Sequence, residues 1–255
     1  MKKCYLGTNT KMYKTVADTV AYLERLGELT ADISRQALEL FVIPSFTALD
    51  AAGRVARKWN ITLGAQNMAW LEEGQLTGEI SPLMLREVGA EIAELGHSER
   101  RHILGETDDM IRRKVACAAR NGLTVLLCVG ETGEEKSLGL AAEVLRTQIK
   151  VGLHDLTSPN GVWVAYEPVW AIGVNGTPAP ASYAAQMHAV IRQTLIECFP
   201  KGGADIPILY GGSVRPDNAC EMIRQPEVDG LFVGRSAWDA ERFHELIRSV
   251  LKCKE

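Results

Sequence analysis

The sequence lacks a Cys-x-x-Cys pair, a His-Glu-x-x-His pair, any apolar run long enough to cross a membrane and any strong excess of one charge. Its six cysteines (Cys4, Cys117, Cys128, Cys198, Cys220 and Cys253) are scattered, and three sit in apolar runs or on helical faces, where a reduced thiol behaves as a small hydrophobe. A disulfide framework or a zinc site is therefore not expected. Without paired Asp/His spacing, no other metal site is expected. The N-terminus, MKKCYLGTNTK, has two lysines but no hydrophobic stretch of signal-peptide length, so a cytoplasmic, enzyme-sized domain is the expectation. Lys and Arg number 28 against 32 Asp and Glu, a net charge of −4, which draws neither nucleic acid nor an anionic membrane. A small acidic substrate stays open, because local positive sites matter more to it than the total.

What is present is a core and a rhythm. At 255 residues, 46% apolar and 24% charged, the chain has material for one large α/β domain. Short apolar runs recur: KCYLGTN, LELFVIP, ITLGAQN, EIAELGH, TVLLCVGE, GVWVAYE, PILYGG and DGLFVG. Most lack strict alternation, as parallel strands buried on both faces do. Between them helical spacing predicts helices over 15–29, 46–59, 107–120, 138–151, 181–199 and 240–251, with Ser182 and Asp239 as N-caps. Eight strand-then-helix units without a long polar linker predict a single (β/α)8 barrel over 1–255. An open doubly wound sheet uses the same alternation, but its first strand is usually followed by Gly-x-Gly-x-x-Gly; here it ends in GTNTKM.

In such barrels the reactive groups sit at the C-terminal ends of the strands. Those positions hold Asn9 and Lys11 after the first strand, His97 after the fourth, Glu167 after the sixth, and two glycine-rich turns, 211–214 and 234–236. The stretch AYEPVWAIGVNGTP is unusual: an acid pinned by Pro168, then greasy residues in a glycine-punctuated loop. Apolar residues in a loop beside one acid suit a lid that expels water when it closes. Trp170 and Ile172 as plain core residues would suit a strand better than a segment followed by Gly173, Gly176 and Pro178.

The motifs Asn9-x-Lys11, AQN at 65–67, TGEIS at 77–81, GHSERR at 96–101, CVGE at 128–131, AYEPVWAIG at 165–173 and YGGSV at 210–214 together resemble the triosephosphate isomerase family over essentially the whole chain. The resemblance implies a cofactor-free isomerase of a small phosphorylated sugar, working through an enediolate. It implies Glu167 as the base and His97 as a neutral imidazole that polarises the carbonyl, with Lys11 and Asn9 stabilising charge. Burial would raise the basicity of Glu167. Gly173, Ser213, Gly234 and Arg235 match the family's phosphate-binding positions, and Glu99 matches an acid that holds the lysine, although a helix-start carboxylate is an equal reading. The loop 67–78 matches one that inserts into a neighbouring subunit, implying a homodimer; it could equally pack on its own barrel.

Other readings stay in view. His102, His154, His188 and His244 are expected to be structural, and Arg112, Arg113 and Lys114 a solvated helical face. Lys11 could be a surface lysine or a Schiff-base nucleophile. The whole could be a non-catalytic phosphosugar-binding barrel, although binding alone needs no base; a lyase or synthase barrel would want a strand-end Schiff-base lysine or a metal. Four positions depart from the family's usual pattern: Thr10 in place of an aromatic residue, the lid ending 173–178 without its lysine, Arg235 in place of glycine, and Phe232 in place of leucine. Such departures resemble a side branch of the family, found in four-carbon polyol breakdown, that interconverts L-erythrulose 1-phosphate and D-erythrulose 4-phosphate. They favour that branch slightly over triose phosphates.

Overall fold

In the computed structural model, which describes residues 3–173 and 176–254, all eight apolar runs are strands. They are β1 (Cys4–Asn9), β2 (Leu38–Ile43), β3 (Thr62–Ala65), β4 (Ile92–Leu95), β5 (Thr124–Val129), β6 (Val162–Tyr166), β7 (Ile208–Tyr210) and β8 (Gly230–Val233). Every pairing is parallel and in sequence order, and β8 returns to pair with β1. The closed ring has no edge, which rules out the open sheet.

The helices are α1 (Val16–Leu29), α2 (Leu49–Trp59), α3 (Pro82–Glu87), α4 (Ser98–His102), α5 (Asp108–Arg120), α6 (Gly133–Ser137), α7 (Ala141–Gly152), α8 (Ala181–Cys198), α9 (Ala219–Ile223) and α10 (Ala240–Lys254). The six long ones are those the spacing predicts, with starts set by capping. Thr15 and Thr107 lie just outside their helices, and each side-chain oxygen accepts from a first-turn N–H. Asp239 caps as expected, accepting from Arg242 N at 2.9 Å. Ser182 does not: the N-cap position of α8 is Pro180, and Ser182 lies inside the helix. The other four helices have five or six residues, too few to show a period.

Two apolar layers follow from strand parity. Outward residues pack on the helices, whereas Phe41, Ile43, Ile92, Leu126, Cys128, Ala165, Leu209 and Phe232 fill the barrel interior. On β4, Ala93 and Leu95 face out and Ile92 faces in, so alternation also turns Glu94 inward. That acid is a polar intrusion in an apolar layer.

Two further expectations fail. The basic run is not a solvated face: Lys114 is 1% exposed, donates to Asn67 Oδ1 at 2.9 Å and pairs with Glu106. Helical phase decides this, since Lys114 falls on the same face of α5 as Ile111, Val115 and Ala118, all buried. Arg113 lies over the Trp70 ring at 4.5 Å, and Arg112 pairs with Asp109 and Asp155. The cysteines are also not all free. Cys220 on α9 and Cys253 near the end of α10 form a disulfide with Cα atoms 5.6 Å apart. Packing of α9 against α10 brings together two thiols 33 residues apart in sequence. The other four cysteines are free.

Candidate active site

The strand ends converge on a cavity of about 500 Å³ lined by Asn9, Lys11, His97, Glu167, Gly173 and Arg235, with Ser213, Gly234, Glu99 and Phe232 also on its wall. Phe232 aside, these are the nine residues to which the family resemblance gives a site role, and they meet at one mouth of the barrel. Among the described residues His97 is the only histidine there; His102 and His154 are exposed, and His188 is buried elsewhere, with Nδ1 2.9 Å from the carbonyl of Glu227.

Glu167 and His97 face each other. Glu167 Oε1 lies 3.6 Å from His97 Nε2, and both side chains are buried. The acid follows β6, where its own N–H donates to the Val129 carbonyl at 2.7 Å. Its Oε2 accepts from Ser98 N at 3.2 Å, which holds the carboxylate against the start of α4. Close backbone packing makes this possible. A Cβ on Gly130 would sit 1.8 Å from the Glu167 carbonyl oxygen, so β5 can pass there only with glycine.

His97 has a defined tautomer. The N–H of Glu99 donates to Nδ1 at 3.1 Å, so a neutral ring carries its proton on Nε2, the nitrogen that faces Glu167. The same tautomer bears on metals. Glu94, His97 and Glu167 each place a ligand-type atom within 4.8 Å of the others, but an imidazole with its proton on Nε2 and Nδ1 engaged has no lone pair to give.

Lys11 and Asn9 form one tight turn. Lys11 has φ of 51°, a left-handed conformation that costs a non-glycine residue of the order of 1 kcal/mol or more. It is held there by its N–H, which donates to Asn9 Oδ1 at 2.6 Å, and by its carbonyl, which accepts from Gln66 Nε2 at 2.9 Å. The ammonium is 2.5 Å from Glu99 Oε1, so the two expected partners touch. From the far end of the chain, Trp238 Nε1 donates to the Asn9 carbonyl at 2.9 Å. Thr10, where the family pattern has an aromatic residue, is fully buried and its hydroxyl has no partner among the described residues.

The opposite rim is open. Among the described residues, leaving out chain neighbours, no atom lies within 4 Å of a Cβ added at Gly173 (φ 87°) or Gly234, and both glycines line the cavity. Arg235 begins a 3-10 turn, Arg235–Ala237, and its guanidinium donates to the Gly173 carbonyl at 3.3 Å, bridging the last turn to the lid segment. The turn 211–214 does not itself open a helix, since α9 starts only at Ala219. In the lid segment the two greasy residues differ. Ile172 lines the cavity, whereas the Trp170 indole donates to Glu131 Oε1 at 2.7 Å and packs edge-on against Tyr183. Val174 and Asn175 of the altered lid ending lie outside the described residues.

Sequence reasoning passed over two acids here. Glu131, fully buried, accepts from Tyr166, Trp170 and Tyr183 and so ties the lid segment to β6 and α8. Glu94, also fully buried, accepts from Asn9 Nδ2 at 2.7 Å and has the Cys128 thiol 3.9 Å away. Burial and the nearby Glu167 carboxylate push Glu94 well above the usual carboxylate range, and burial likewise pushes the Cys128 thiol up. The signal for Glu94 was strand parity, an acid two residues on from an inward isoleucine.

The family model described as Triosephosphate isomerase matches residues 4–250. The chain belongs to the triosephosphate isomerase family. Among similar curated proteins, one from Rhizobium etli named L-erythrulose-1-phosphate isomerase is 46% identical over 250 residues, covering 96% of this chain and 92% of the relative. A protein of the same name from Mesorhizobium japonicum is 44% identical, with 95% of each chain covered. Among solved structures, triosephosphate isomerase from Bartonella henselae superposes with a TM-score of 0.88 at 33% identity, covering 97% of this chain and 98% of that one. Isomerase class and barrel thus agree with the site.

Proposed function

We propose that this protein interconverts L-erythrulose 1-phosphate and D-erythrulose 4-phosphate by proton transfer through an enediolate. The observation that carries the chemistry is the pairing of Glu167 Oε1 with His97 Nε2 at 3.6 Å in a cavity whose other rim carries Gly173, Ser213, Gly234 and Arg235. The substrate phosphate would sit on the N–H groups near Gly173, Ser213, Gly234 and Arg235. Glu167, released from Ser98, takes the proton from the carbon beside the carbonyl. His97 donates from Nε2 to the oxygen where charge grows, and Lys11 and Asn9 stabilise the same charge. Returning the proton to the neighbouring carbon completes the shift, with no net change of protons and no external oxidant. Glu99 would keep Lys11 in place.

The names of the similar proteins favour the four-carbon substrate. The triose pair, dihydroxyacetone phosphate and glyceraldehyde 3-phosphate, is the second reading, favoured by the similarity to the Bartonella enzyme. Comparing kcat/KM for L-erythrulose 1-phosphate and dihydroxyacetone phosphate decides between them: the four-carbon reading expects the first to be higher, and the reverse order overturns it. A binding-only barrel would exchange no solvent tritium into either ketose.

We also infer a single-domain, homodimeric, cytoplasmic enzyme. No described helix is long and apolar enough to cross a membrane. Met12 at 94% and Tyr13 at 71% exposure follow Lys11, and Leu71 on the loop 67–78 is exposed too. A second copy covering these side chains would remove large apolar groups from water. Sedimentation at micromolar concentration should give twice the chain mass; a monomer with full activity would sink this assignment.

A further inference from the structure

Glu94 has no part in the mechanism above, yet the fold goes to some length to hold it. It is 0% exposed, at the inward parity of β4, among Ile92, Leu126, Cys128 and Ala165. Among the described residues no lysine or arginine forms an ion pair or hydrogen bond with it, Lys11 being committed to Glu99. A carboxyl buried without a cation is costly and normally survives only with polar partners. Here the partners are one N–H of Asn9, which lines the cavity, and the weak Cys128 thiol, which lies with Glu94 in the buried layer beneath it.

Barrel order says what points at it. The phosphate turns follow β6, β7 and β8, and β4 lies across the ring from β8. A sugar phosphate held at those turns, with its reacting carbon between Glu167 and His97, runs towards β4. Whatever hangs on that carbon, on the side away from the phosphate, is therefore directed at Asn9 and Glu94. In a triose the carbon carries only hydrogen and its own oxygen; in the tetrulose it also carries CH2OH. Ligand-type atoms of Glu94, His97 and Glu167 no more than 4.8 Å apart leave a point within about 2.8 Å of all three, hydrogen-bond distance for an oxygen.

We propose that Glu94 is the specificity-determining residue, receiving the terminal hydroxyl of the four-carbon substrate. The inference rests on the tetrulose reading of the preceding subsection. A carboxylic acid suits the task because its O–H donates and its second oxygen accepts, so it can satisfy a hydroxyl in a layer with little other polarity. Burial and Glu167 favour that protonated form. It also orients Asn9, whose second amide hydrogen stays available to substrate.

The test uses the purified full chain with L-erythrulose 1-phosphate, its 4-deoxy analogue (CH3 in place of CH2OH) and dihydroxyacetone phosphate. In the wild type, loss of the hydroxyl should lower kcat/KM about 30-fold or more, because a site built to bind a hydroxyl discriminates strongly against its absence. In Glu94→Val that difference should collapse to a few-fold, and the tetrulose-to-triose ratio should fall by the same factor. Glu94→Gln, which keeps a donor and an acceptor, should lie between. A deoxy analogue used as well as the natural substrate by the wild type overturns the proposal without any variant having to fold. Parallel losses for both ketoses in the variants overturn it too, leaving Glu94 a positioning residue for Asn9. A wild type that turns over only the triose sinks the substrate reading itself, visibly and before any substitution, and this inference falls with it.

Discussion

The two halves of the cavity rim are built on opposite principles. On the side of β1, β4 and β6, Asn9, Glu94, His97 and Glu167 are buried, and each has a hydrogen-bond partner or a fixed neighbour. On the side of β7, β8 and the lid segment, Gly173 and Arg235 are exposed, and added Cβ atoms at Gly173 and Gly234 would meet no atom of the described residues beyond their chain neighbours. The first half is finished before substrate arrives. The second is open, as the proposed phosphate site and lid would require. Charge that develops at the reacting oxygens needs dipoles already in place, because reorganisation during the reaction would add to the barrier. A phosphate keeps its charge throughout, so its site can assemble on binding.

If that division is right, substitutions in the first half lower kcat and substitutions in the second raise KM. The largest effect expected is for Glu167→Gln: kcat falls about 10²–10⁴-fold with a small change in KM, since the amide is a near-isostere that cannot take a proton. His97→Gln should follow, at about 10²–10³-fold in kcat, as expected for loss of one preorganised donor. Steady-state kinetics on both ketose phosphates checks each. A large rise in KM with kcat intact for either variant would break the comparison.

Arg235→Gly is the matching probe of the open half. It removes the guanidinium and its bond to the Gly173 carbonyl while keeping the backbone N–H. A charge-assisted contact to phosphate is worth about 1.5–3 kcal/mol, so KM should rise about 10–100-fold, with less change in kcat. The inhibition constant for inorganic phosphate should move with KM. A drop in kcat alone would place Arg235 in lid closure rather than in anion binding.

The finished half was also the more legible in the sequence, and chemistry explains why. His97, Glu167 and Lys11 sit at strand ends inside GHSERR, AYEPVWAIG and Asn-x-Lys, motifs that carry the resemblance to the family. The barrel itself was legible because strands buried on both faces read as uniform apolar runs. Partners decided by phase or by distant packing were not. Glu94 reads as an ordinary polar residue until its strand parity is set by the ring. Lys114 reads as part of a basic run until the phase of α5 against the core is known. Trp238 supports Asn9 across 229 residues, and Cys220 meets Cys253 across 33, neither of which any local window contains.

The smallest expected effect tests whether the finished half costs stability, as buried acids should. Glu94 faces the amide of Asn9 on β1, the Cys128 thiol on β5 and the Glu167 carboxylate after β6, with Lys11 and Glu99 acting only at longer range. Its pKa is raised in the folded chain by burial first and by Glu167 second. Above the ordinary carboxylate range the unfolded chain has lost this proton and the native state still holds it. The stability contributed by Glu94 is therefore complete at low pH and declines as pH rises, by at most about 1.4 kcal/mol per pH unit, until the folded group itself ionises. Glu94→Gln removes the titration while keeping the bond from Asn9. The melting temperature of the variant minus that of the wild type should thus widen from pH 5 upward, by a few degrees per unit, given about 2–4 °C per kcal/mol for a chain of this size. Parallel melting curves across that range would mean that Glu94 is ionised in the native state. Lys11, already paired with Glu99, would then be a cation that offsets part of that charge at longer range.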